Sequence, residues 1–144
     1  VADTVTYLAA LSNAPSGWPV DSRTVSTEFN PSADPSISDG RKHYGMDIST
    51  QSRIIPIYAT ASGTVVTAQY HSEFGNYVVI DHGNGFTTLY AHCTDLNVVV
   101  GDKVKKGDTI ATTGSTGMST GVHCHYEIQL NGVYQNPRDY LGEE

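Results

Sequence analysis

The chain has 144 residues, 8 Lys and Arg against 15 Asp and Glu, a formal net charge of -7 and 38% hydrophobic residues. This is the make-up of one ordinary globular domain, and it excludes a disordered chain or a second full domain. No basic run exceeds Arg41-Lys42 or Lys105-Lys106, so no nucleic-acid partner is expected, and apolar runs of a few residues exclude a bilayer span within this chain.

The chain opens Val-Ala-Asp with neither Met nor an apolar leader core, which reads as a piece trimmed from something longer. Thr4 to Leu11 is the one helix-like stretch, ended by Asn13, Pro15 and Gly17, so residues 1–17 are expected to be a helix-like linker remnant ahead of a domain at 18–144. Gly17 to Gly40 is rich in Pro, Ser and Asp and reads as an irregular leading loop with a short extended piece around Thr24 to Phe29. Strand composition then recurs at Ile54 to Thr60, Thr64 to Tyr70, Tyr77 to His82, Phe86 to Cys93, Asn97 to Val100, Asp108 to Thr113 and Val122 to Leu130. Glycine-containing turn signals separate these runs, and no tandem repeat is visible. With Val, Thr and Tyr abundant and Leu scarce, the chain is expected to be mainly β, a compact antiparallel sheet or sandwich.

Alternation assigns faces to two of these strands. In Val122 to Leu130 the set His123, His125, Glu127, Gln129 is polar and the set Val122, Cys124, Tyr126, Ile128, Leu130 is largely apolar, so both histidines share the open face. In Phe86 to Cys93 the set Thr87, Leu89, Ala91, Cys93 is expected to face the core, leaving Tyr90 and His92 opposite.

Six histidines in so small and acidic a chain raise a metal hypothesis, and spacing sharpens it. His123-Cys124-His125 puts two imidazoles on one side of a strand, although an HxH pair alone more often reflects ordinary hydrogen-bonded histidines. His43-Tyr44-Gly45-Met46-Asp47 adds an imidazole and a carboxylate on one face, and Gly45 argues against helix there. Two ligands from this element and one from the HxH pair make the three protein ligands that a catalytic zinc requires.

His43-x-Gly45-x-Asp47, then Tyr90-Ala91-His92, then Gly117-x-x-Thr120-Gly121-x-His123-x-His125 resemble, in that order, the LytM/lysostaphin-type zinc endopeptidases of peptidase family M23. The resemblance runs from about Trp18 to Leu141. It includes the stretch Gly75 to Gly85, the turn Gly101-Asp102-x-Val104-x-x-Gly107-Asp108, and the closing Asn136-Pro137 with Tyr140-Leu141. It implies an M23-type domain at 18–144 with a compact antiparallel fold, duplicated hybrid motif-like, and a substrate groove across one sheet. It further implies that His43, Asp47 and His125 bind Zn2+ and that His92 and His123 are the catalytic pair. The implied activity is hydrolysis of peptide bonds in the cross-bridges or stem peptides of bacterial peptidoglycan, by a monomer located outside the cytoplasm. The chemistry agrees: a cation in such a set acidifies water and polarises a carbonyl, and a histidine titrating near neutrality suits proton transfer. His92 and His123 both remain open as the base.

Other features carry competing readings. The small-residue loop Gly114 to Gly121 is either a groove wall that lets substrate backbone approach or a plain connection. Tyr90 is either a groove-floor residue or packing, and Glu127 either supports a ligand imidazole or sits at the rim. His82, in a turn signal, is expected to fix that turn, and His71 to be solvated. Cys93 and Cys124 are expected to point into the core, either as a cross-strand disulfide or as two thiols. The rival functions are a non-cleaving peptidoglycan-binding or scaffolding module of the same fold, with Asn30 to Gly40 as its candidate lid, and a phosphocarrier module in which HxGxD has no task.

Overall fold

The structure is a computed structural model that describes residues 14–38, 40–117, 119 and 121–141; the helix-like stretch Thr4 to Leu11 lies outside them. Ten strands run β1 Thr24–Thr27, β2 Met46–Ser49, β3 Pro56–Tyr58, β4 Gly63–His71, β5 Gly75–Gly83, β6 Phe86–Cys93, β7 Lys103–Val104, β8 Thr109–Thr112, β9 His123–Leu130 and β10 Val133–Gln135, followed by a 3-10 turn at Pro137–Tyr140. The main sheet has the order β1-β2-β9-β6-β5-β4-β7, with β10 continuing beside β9, and β3 pairs with β8 in a second, two-stranded sheet. All pairings are antiparallel. The mainly antiparallel β expectation therefore holds, and no helix among the described residues is long and apolar enough to cross a membrane.

Turn chemistry sets the register. Asn84-Gly85 joins β5 to β6 with φ +57° and +89°, and Asn131-Gly132 joins β9 to β10 with φ +52° and +80°. Left-handed values at both central residues give the two-residue turn whose twist matches that of paired strands. The expected strand Asn97 to Val100 is absent. There Asp102 Oδ2 accepts from Val99 N and Asp102 N donates to Val99 O, folding the run into a turn that leaves Val99 and Val100 exposed.

Between the sheets lies one core that includes Val20, Met46, Ile48, Ile57, Val78, Ile80, Tyr90, Ile110, Cys124, Tyr126 and Ile128. Tyr90 and Tyr126 are fully buried with ring centroids 5.3 Å apart, and Thr60 Oγ1 lies 2.7 Å from the Tyr126 hydroxyl and 3.1 Å from that of Tyr90. Buried hydroxyls need such partners, since an unpaired one forfeits its hydration for nothing. Cys93 and Cys124 are buried and free, which resolves their alternatives in favour of two thiols.

Tyr90 settles one alternative and corrects one expectation. It is core packing, and the core-facing set of β6 is Phe86, Thr88 and Tyr90, whereas Leu89 and Ala91 pair with Glu127 and His125 and so share the histidine face. The alternation breaks at His92, whose φ of +63° shifts it onto the face of Ala91 and sends Cys93 inward.

His82 does not fix its turn as expected; Asp81 does, its Oδ1 accepting from Gly83 N. The His82 ring is buried, Nδ1 donates to the Ser62 carbonyl at 2.9 Å, and Nε2 lies 2.7 Å from Thr88 Oγ1. Burial pushes its pKa below the usual 6.5, against the opposing pull of Ser62 and Asp81. The unfolded chain therefore takes up this proton first as pH falls below 6.5, and stability declines until pH passes the lower folded value. The slope is at most about 1.4 kcal/mol per pH unit. Urea midpoints between pH 7.5 and 5 should fall more steeply in the wild type than in His82→Gln, and parallel curves would refute the assignment.

Candidate metal centre

The site grows from the β2–β9–β6 pairings. Asp47 stands opposite His125 and Ser49 opposite His123, while Ala91 of β6 faces His125 from the other side. Residues two apart on a strand share a face, so His123, His125 and Glu127 line up beside Asp47. His43 precedes β2 and is clamped to Asn30 by two backbone hydrogen bonds, His43 N to Asn30 O at 2.8 Å and Asn30 N to His43 O at 2.7 Å.

Asp47 is the hub. Its Oδ1 is 2.8 Å from His125 Nδ1 and 3.6 Å from His123 Nε2, and its Oδ2 is 3.5 Å from His43 Nε2. Ligand atoms of His43, Asp47 and His125 all lie within 4.8 Å of one another. The His92 and His123 rings are 4.9 Å apart, and His92 is 6.0 Å from His125.

Three of these four histidines have the other nitrogen against a backbone carbonyl, which fixes the tautomer. His43 Nδ1 donates to the Glu28 carbonyl at 3.0 Å, His92 Nδ1 to the Thr116 carbonyl at 2.7 Å, and His123 Nδ1 to the Gly121 carbonyl at 2.8 Å. His125 is reversed: Nε2 bonds Glu127 Oε2 at 2.8 Å, so Nδ1 turns to Asp47. Three Nε2 atoms and one Nδ1 are thereby presented to the same space, the arrangement that ligand histidines adopt with their outer partners.

The charges favour a cation. Burial opposes ionisation of Asp47, but hydrogen bonds from His125 and His43 and nearby positive charge bring its carboxyl well below the usual range. Burial likewise works against a charged His125, yet its hydrogen bonds to Asp47 and Glu127 raise it to about 9. Burial lowers His92, aided by His123 and His125. Two carboxylates around one imidazole thus hold positive charge at this point, and two imidazoles with a carboxylate are the ligand types of a catalytic zinc site with room for water. The residues fit the metal.

The cleft over these groups measures about 630 Å³, and all five sequence-predicted site residues line it. At its rim Tyr44 stacks on Tyr134 with centroids 4.9 Å apart. None of the described residues of the candidate lid 30–40 lines it, because Asn30 is buried in bonds to the Asp34 and Ile37 carbonyls.

A profile of peptidase family M23 matches residues 41–137, which hold the whole constellation. The chain belongs to peptidase family M23. This M23 chain is 41% identical over 121 residues to the peptidoglycan DD-endopeptidase ShyC of Vibrio cholerae, covering 83% of the chain and 28% of ShyC. Its fold superposes on a zinc-containing peptidase from Vibrio cholerae with TM-score 0.78 and 32% identity, covering 93% of this chain and 41% of that one. It superposes on the lysostaphin catalytic domain of Staphylococcus simulans with TM-score 0.65 and 28% identity, covering 88% and 87%. The chain therefore spans less than a third of the length of ShyC, and zinc is the metal consistent with its family and its donor set.

Sequence reasoning missed the groups that hold the site. The Glu28 and Thr116 carbonyls leave no side-chain signal. Gly75 and Gly117 do: at φ +66° and +72° they let the 73–76 turn and the 114–117 loop touch, where a Cβ on Gly117 would lie 2.3 Å from Gly75 N. The smallness of Gly117 thus serves a contact between two loops, while Ser119 of the same loop lines the cleft. Glu127, read as either support or rim, is buried against His125.

Proposed function

We propose that this chain is the catalytic domain of a zinc-dependent endopeptidase that hydrolyses peptide bonds of bacterial peptidoglycan outside the cytoplasm, with His43, Asp47 and His125 as metal ligands and His92 and His123 as the catalytic pair. The observation that carries this is the convergence of His43, His123 and His125 on Asp47, with His92 beside them, in an open cleft of an M23 fold. The named activity of ShyC makes a DD cross-link the first substrate to test.

Zinc, when bound, supplies Lewis acidity to polarise the scissile carbonyl and acidify water. His92 and His123 turn Nε2 into the cleft while their Nδ1–H bonds anchor them, so each can accept a proton there and return it to the leaving amine. Once protonated, the same nitrogens donate to oxygen carrying negative charge. The stacked Tyr44–Tyr134 pair gives a peptide an apolar ledge beside the reacting groups. Every group in this scheme comes from one chain, which supports a monomer as the working unit, and the continuous core from Val20 to Leu141 supports 18–144 as one domain.

The test is mass spectrometry of fragments released from purified peptidoglycan of several cross-link types, comparing wild type with His123→Ala at matched zinc loading. New peptide termini from the wild type alone are expected. Equal fragments from both proteins, or none from either on any substrate, would contradict the proposal.

A further inference from the structure

Resting on the zinc reading above, we propose that Glu127 is a positioning residue for that metal: it fixes His125 with its proton on Nε2, so that Nδ1 is the ligand atom, and Gly45 is the space that makes this grip possible. The His125 ring and the Glu127 carboxylate are both nearly excluded from solvent, at 7% and 6% exposed, and are joined by a 2.8 Å contact from Nε2 to Oε2. A carboxylate removed from water at such depth needs a charged or donating partner, and the imidazole meets that need here.

Two aromatic neighbours pack against the His125 ring. Phe74 lies over its ring at 6.1 Å and 23°, and His43 meets it edge-on at 5.1 Å. Just ahead of β2, a Cβ on Gly45 would stand 2.7 Å from Glu127 Cγ, 3.0 Å from His125 Cε1 and 2.6 Å from the Tyr126 carbonyl. Any side chain at 45 would drive the carboxylate and the imidazole apart, so glycine in the His-x-Gly-x-Asp element serves the pair on β9 as well as the backbone of its own segment. His43 presents Nε2 to the site, so His125 needs a dedicated acceptor on its far nitrogen to present Nδ1 instead. A carboxylate in that role also makes the imidazole a stronger donor to the cation.

The experiment is chelator competition for zinc with wild type, Glu127→Gln, Glu127→Ala and His125→Ala, together with 15N ring shifts of His125 in the zinc-loaded proteins. Glu127→Ala is expected to weaken zinc binding roughly 10- to 100-fold. Glu127→Gln keeps the shape and an acceptor oxygen and is expected to recover part of that loss, and it serves as the folded comparator should Glu127→Ala fold poorly. Wild type should show a metal-bound Nδ1 and a protonated Nε2, with this pattern degraded in Glu127→Ala. Zinc affinity in both Glu127 variants within about 3-fold of wild type, with unchanged ring shifts, falls outside the expected range. If His125→Ala has meanwhile lost zinc, that result overturns the role of Glu127 and leaves the metal reading intact. Wild-type affinity in His125→Ala would overturn the metal reading itself.

Discussion

Asp47→Ala is expected to lose zinc at concentrations that saturate the wild type and to lower peptidoglycan hydrolysis by at least about 10³-fold, the upper end of what removal of one electrostatic stabiliser costs. Asp47 is a proposed ligand, and it is also the group to which His43, His123 and His125 all turn. Removing it leaves imidazoles facing one another with Glu127, and Glu73 on the cleft wall, to offset any charge they carry, so the cleft attracts a cation much less. The loss of affinity should exceed the ~10- to 100-fold typical of removing an outer partner. Asp47→Asn separates charge from shape: it keeps one oxygen toward the site but loses the negative charge, and is expected to fall close to Asp47→Ala. Zinc content after dialysis and fragment release from peptidoglycan read both effects, and a variant retaining full zinc and activity would remove Asp47 from the site.

Gly117→Ala is expected to destabilise the fold by roughly 2–5 kcal/mol, combining a left-handed residue with a Cβ and overpacking. At φ +72° the added Cβ would lie 2.3 Å from Gly75 N and 2.7 Å from Glu73 O. Both are backbone atoms, so no rotamer change relieves the contact. The neighbouring Thr116 is tied in three ways: its carbonyl accepts from His92 Nδ1, its hydroxyl donates to the Cys93 carbonyl, and the same oxygen accepts from Asn76 N. Displacing the loop therefore releases His92, and hydrolysis should fall along with stability. Gly83→Ala provides the comparison, since φ is +78° there but no atom lies within 4 Å, so only the conformational part of the cost applies. Urea unfolding of the two variants should separate by about 1–3 kcal/mol, and equal losses would show that the loop yields.

The histidine face of β9 was legible because alternation holds through its length, and β6 was bounded as Phe86–Cys93 from composition alone. Its face was not, because alternation was carried through His92, where a left-handed residue resets the side on which the chain presents its side chains. Strand β2 hid inside the His-x-Gly-x-Asp motif, since Met46–Ser49 is too short to show a period of its own. Strand β10 was missed although Asn131-Gly132 is a strong hairpin signal, because only Val133–Gln135 follow it before Pro137. All five proposed site residues were named from motif order, whereas the fixed tautomers of His43, His92 and His123 rest on carbonyls at Glu28, Thr116 and Gly121. Those acceptors belong to the backbone and become neighbours only through the fold. The irregular 17–40 segment reads as a leading loop with a candidate lid at Asn30 to Gly40, yet Glu28 and Asn30 within it orient His43.

The most direct test of the account is a zinc-edge anomalous map of crystals of the zinc-loaded protein. The account predicts one strong peak about 2.0–2.2 Å from His43 Nε2, an Asp47 carboxylate oxygen and His125 Nδ1, with His92 and His123 beside it but unbound. A peak elsewhere, or ligation that excludes Asp47 or His125 or takes in His92, would contradict it.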